Sequence, residues 1–111
     1  MVKPDWNQIR QAAEQILSQR QHVNGDACFL SSYQLAYLMR NQFPGIEGDL
    51  NIGGKGEGKE VQDSLAKHVA DCLAKDDRFE RQWFCTDGVD SFTFDGVPSS
   101  TKSFSMFRIT Q

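Results

Sequence analysis

Long apolar runs are missing from this 111-residue chain, whose longest, Leu35 to Met39, has five residues. A membrane-crossing helix needs about 20, so no segment qualifies. Cysteine is scarce: Cys28, Cys72 and Cys85 are the only three, and no two form a CxxC pair. An odd count at such wide spacing suits neither a disulfide framework nor a knuckle-type zinc site. The start, Lys3-Pro4-Asp5-Trp6, has no apolar stretch of the secretory kind, so a reducing, cytoplasmic setting is expected. An excess of charge of one sign is missing too, since 12 basic and 15 acidic residues leave a net charge of −3. That is unlike the basic surface of a general nucleic-acid binder and unlike the composition of a disordered chain. Repeats and linkers are absent as well, so residues 1–111 are expected to form a single domain.

What is present is periodic. Asp5 is placed as an N-cap with Gln8 three residues on, and Trp6, Ile9, Ala13, Ile16 and Leu17 then recur at helical spacing. After the turn signal Asn24-Gly25-Asp26, the run Ala27-Cys28-Phe29-Leu30 reads as a short strand. Ser31 and Gln34 suggest a capping box for a second helix, Ser32 to Phe43, which would bury Leu35, Ala36, Met39 and Phe43. Pro44-Gly45 ends it. Six glycines between Pro44 and Lys59 predict a loop, with a stub of strand at Leu50-Asn51-Ile52.

A third helix is expected from about Glu60 to Lys75, with Val61, Leu65, Val69, Cys72 and Leu73 on one face and Ala66, Ala70 and Ala74 beside them. The period then changes to two. Phe79, Arg81, Trp83 and Cys85 alternate with polar residues, which predicts a half-buried strand with Trp83 in the sheet core. Turns follow at Thr86-Asp87-Gly88 and Asp95-Gly96, with Phe92 and Phe94 between them, and a last strand runs from about Ser103 to Ile109.

The run Cys28-Phe29-Leu30-Ser31-Ser32-Tyr33-Gln34-Leu35-Ala36, then Ser64 to Leu73, then Phe79 to Ile109, resembles the winged-helix domain in the order of its elements. The resemblance implies an α+β fold of three helices, a short strand and a C-terminal antiparallel hairpin or three-stranded meander. It also implies a third helix that enters the DNA major groove, with Lys55, Lys59, Gln62, Lys67 and Lys102 as the DNA contacts. Charge opposes that use. The outer face of the third helix carries Glu60, Asp63 and Asp71 against Lys67, and the turn region carries Asp87, Asp90 and Asp95 against Lys102. Phosphate contact needs Lys and Arg on the docking surface.

Chemistry-bearing groups are few. Gly53, Gly58 and Lys59 fit the spacing of a phosphate loop, but Glu60 stands where a hydroxyl must ligate Mg²⁺. His68 and Cys72 lie four apart and could meet Cys28 and Cys85 at a metal, yet a cysteine within an apolar stripe is usually a small core residue. The same groups lack the orienting third partner of a nucleophilic pair. Aromatics beside Arg78, Arg81 and Arg108 could stack bases, although their alternation is that of a sheet core.

Tyr33, Tyr37 and Arg40 form a stripe beside the apolar face of the second helix and are side-chain types that dominate interfaces. With the small-residue ladder Ala66, Ala70 and Ala74, they make a non-enzymatic module that binds another protein chain, or its own copy, the leading expectation. A DNA-binding regulator is the alternative. A small ligand-binding protein or enzyme using the loop 44–59 is the second. No catalytic residue, cofactor or metal is assigned.

Overall fold

A computed structural model describes residues 6–20, 25–50, 64–87 and 102–110 of the chain. They form α1 (Trp6–Ser18), β1 (Leu30–Ser31), α2 (Ser32–Gln42), α3 (Ile46–Asp49), α4 (Ser64–Leu73), β2 (Phe79–Cys85) and β3 (Ser103–Ile109). The fold is α+β, and the antiparallel sheet has the order β1-β3-β2. Among the described residues no helix is long and apolar enough to cross a membrane.

Local chemistry explains most boundaries. At the start of α2 the Ser31 hydroxyl accepts from the Gln34 N–H at 3.0 Å, and the Ser31 N–H donates to Gln34 Oε1 at 2.8 Å. This is the expected capping box, satisfying two donors that the helix itself leaves unpaired. α2 stops at Gln42, and Phe43 caps it through an N–H bond to the Met39 carbonyl. The chain then turns through Pro44 and Gly45. Ile46 N–H donates to the Phe43 carbonyl at 3.0 Å, with Gly45 at φ 86°, ψ 3°. Those values belong to the third position of a type II turn, where glycine is favoured and proline fits the position before it.

Four readings need correction. The glycine-rich span opens with the helical turn α3, because Ile46 and Leu50, 2% and 1% exposed, pull it onto the core. Leu50 therefore closes a helix instead of opening a strand, and the described residues hold four helices where three were expected. The first strand lies at Leu30–Ser31, with 27–29 irregular, because its partners on β3 are Phe107 and Met106. The sheet's third strand thus comes from before α2. Finally, Phe79 is the only buried member of the alternating set in β2, since Arg81, Trp83 and Cys85 are exposed. Asp5, Val61, Phe92, Phe94 and the phosphate-loop-like run 53–60 lie outside the described residues.

The core lies where α1, α2 and α4 meet β3. Ile9, Ile16, Leu35, Met39, Leu65, Val69, Leu73 and Phe107 are fully buried there. Trp6 packs on its margin with the Lys75 ammonium 5.1 Å from the ring centroid. Ionic contacts tie the elements together. Arg40 grips Glu47 with two bonds, Nε to Oε1 at 2.9 Å and a second to Oε2 at 3.1 Å, joining α2 to α3. Arg10 Nε lies 3.0 Å from Asp76 Oδ2 but is not aimed at it, so that contact is an ion pair and not a hydrogen bond.

Candidate functional site

The hairpin and α4 enclose a groove of about 310 Å³, closed at one end by the first residues of α2. Its floor is aromatic. Phe104 on β3 is buried, Phe84 stacks on it at 5.1 Å, and Tyr33 meets it edge-on at 6.1 Å. Phe84 and Phe104 are register partners, so the ladder itself sets them face to face. Lys67 and Asp71, one turn apart on α4, give one rim a charge of each sign, with Ala70 between them.

The opposite rim is Trp83. Its side chain is 62% exposed, and the Arg81 guanidinium sits 5.1 Å from the ring centroid. The expectation that Trp83 packs in the sheet core is overturned because β2 is a terminal strand among the described residues, and the helices lean mainly on β3 and β1. Arg81, Gln82 and Trp83 are exposed in succession, so both faces of mid-β2 meet solvent.

The residues singled out by sequence are divided. Tyr33, Lys67 and Ala70 come together in the groove. Tyr37 is 57% exposed and lines no part of it, while Arg40 is held by Glu47. Ala66 is buried at 1%, Ala70 is half-buried and Ala74 is exposed just past α4, so the ladder runs from core to solvent and offers no uniform seam. Lys102 is exposed at the foot of β3, and Lys55, Lys59 and Gln62 lie outside the described residues. Trp83 was the residue sequence reasoning misplaced. Its signal was the polar run Glu80-Arg81-Gln82, which gives neither face of the strand an apolar neighbour before the tryptophan.

The thiols do not cooperate. Cys72 is fully buried, its Sγ reaches the Trp6 carbonyl at 3.5 Å, and burial pushes its thiol above the ordinary range. Cys28 is half-buried and Cys85 exposed, and none of the three forms a disulfide. His68 Nδ1 lies 2.8 Å from the Ser64 carbonyl, which can only accept, so that nitrogen carries the proton. Among the described residues no three His, Cys, Asp or Glu side chains could hold a metal ion.

Two of the hairpin arginines are engaged in ion pairs. Arg78 binds Asp76 through Nε and a terminal nitrogen, and its hydrogen bonds hold the Asp76 carboxyl below the usual carboxylate range. Arg108 Nε binds Glu80 at 2.7 Å, which lowers that carboxyl likewise, and its guanidinium lies over Phe29. Arg81 is stacked on Trp83, which forms the groove's rim. The arrangement can seat an apolar or aromatic group and hold it at a mixed-charge rim. No family model, curated protein or solved structure matches this chain.

Proposed function

We propose that the chain is a non-enzymatic binding module that engages another protein chain, a second copy included, on a winged-helix-like scaffold. The observation that carries this reading is Trp83, a largely exposed indole with Arg81 stacked on it, beside a groove with an aromatic floor. Tryptophan, tyrosine and arginine supply most binding hot spots, because each combines a large apolar area with a polar tip. The scaffold part is supported by the order helix, short strand, helix, helix, hairpin once the four-residue helix α3 between α2 and α4 is set aside as an addition. A reducing, cytoplasmic setting fits three cysteines that form no disulfide.

A DNA-binding use would present α4 to the major groove, but the exposed residues of α4 are Lys67 and Asp71, which cancel. Such a face gives phosphates nothing to hold. Two measurements separate the readings. Light scattering is expected to show a mass that rises with protein concentration, and duplex DNA at low salt is expected to go unretained. Retention that falls steeply with added salt would overturn the protein-binding reading.

A further inference from the structure

The β2–β3 ladder determines which backbone groups of β2 look outward. Thr86 N–H donates to the Lys102 carbonyl at 2.9 Å, and Thr110 N–H donates to the Arg78 carbonyl at 2.8 Å. Both bonds share the register that pairs Phe79 with Ile109 and Cys85 with Ser103. Hydrogen-bonded and non-hydrogen-bonded pairs alternate along an antiparallel ladder. Even-numbered residues of β2 therefore direct their N–H and C=O groups at β3, while Arg81, Trp83 and Cys85 turn theirs outward. β2 is terminal in the sheet order, seven residues long, free of proline and unbroken by a bulge. Among the described residues it is an edge with neither the proline nor the bulge that commonly blunts one, its charges being Glu80, paired with Arg108, and Arg81.

We propose that this edge pairs with the same edge of a second copy, joining two sheets into one six-stranded antiparallel sheet. The inference rests on the protein-binding reading above and names the partner. Symmetry narrows the register. An antiparallel pair about a two-fold axis normal to the sheet keeps each face on its own side, so a residue must oppose one of the same parity. An axis through Arg81 would set two guanidinium groups directly opposite, which is unfavourable. An axis through Trp83 would oppose two indoles and leave Arg81 against Cys85.

An axis through Gln82 sets each Arg81 opposite the other copy's Trp83. It thus repeats between copies the cation–ring contact already present within one, at 5.1 Å. All three axes make residues with outward N–H and C=O groups the hydrogen-bonded pairs, so the side chains select among them. The pairing through Gln82 satisfies both the backbone and the side chains.

That register brings the two Gln82 residues together as a non-hydrogen-bonded pair, with Cα atoms about 4.5 Å apart, within disulfide reach. The test is Gln82→Cys in the full chain carrying Cys28→Ser and Cys85→Ser, with Glu80→Cys in the same background as a register control. Mild oxidation is expected to give a covalent dimer from Gln82→Cys and little from Glu80→Cys. Trp83→Pro removes an outward N–H and spares the β3 ladder. It is expected to weaken the dimer in sedimentation by at least about tenfold, with the circular dichroism spectrum and thermal midpoint retained. A dimer that does not cross-link at position 82, or that survives Trp83→Pro, overturns the edge pairing, and the first of these results leaves the protein-binding reading standing. A chain that stays monomeric at every concentration also overturns the pairing. A monomer held on duplex DNA at low salt overturns both.

Discussion

Cys72 and Cys85 carry the same thiol in opposite surroundings, and their chemistry should divide accordingly. Desolvation keeps Cys72 protonated inside the α1–α4 contact, while Cys85 ends β2 in solvent. A thiol-specific reagent at neutral pH is expected to modify Cys85 rapidly and Cys72 only on unfolding, because the thiolate is the reactive form. Loss of the fast phase in Cys85→Ser checks the assignment, and a fast phase from Cys72 would contradict it. Asp76 makes a second residue-scale prediction. Its folded carboxyl titrates below the ordinary value of 3.8, chiefly through its hydrogen bond with Arg78. The stability this supplies is complete above that value and is lost as pH falls through it toward the lower folded one. The urea midpoint is therefore expected to drop from neutral pH to the acid range, with a shallower drop in Asp76→Asn. Glu80, lowered by Arg108, acts in the same direction.

At the scale of elements, the capping box and the sheet make separate claims. Ser31→Ala removes the hydroxyl that receives the Gln34 N–H and is expected to cost about 1 kcal/mol in denaturant unfolding. Phe107 is fully buried where β3 meets the helices, so Phe107→Ala is expected to cost roughly 3–5 kcal/mol. The helices were legible because periodicity is local. Ile9, Ala13, Ile16 and Leu17 declare the buried side of α1 whatever lies across from it.

The sheet was less legible because strand burial depends on neighbours far along the chain. β1 and β2 both pair with β3, more than seventy residues from the one and about twenty from the other. Alternation placed Phe79, Arg81, Trp83 and Cys85 on one face correctly. It could not say that, among the described residues, no helix covers most of that face. α3 escaped because four residues are too short to show a period.

For the whole molecule, the near balance of charge proved informative once the fold assigned positions. Arg10, Arg40, Arg78 and Arg108 are drawn into ion pairs with Asp76, Glu47 and Glu80. α4 shows solvent one charge of each sign. The candidate site was half legible. Tyr33, Lys67 and Ala70 were named from helical stripes and meet in the groove, whereas Trp83 completes it from β2, a terminal strand that the described helices leave largely uncovered. A strand's place in the sheet is a property of packing, which no stretch of sequence records alone. The most direct test is the 19F NMR spectrum of the full chain labelled with 5-fluorotryptophan, which has one signal from Trp6 and one from Trp83. Engagement of a protein chain predicts that the Trp83 signal shifts or broadens as protein concentration rises, while the signal from Trp6, at the core margin, stays put. A Trp83 signal unmoved by protein concentration, yet moved by duplex DNA at low salt and restored by added salt, would contradict the account.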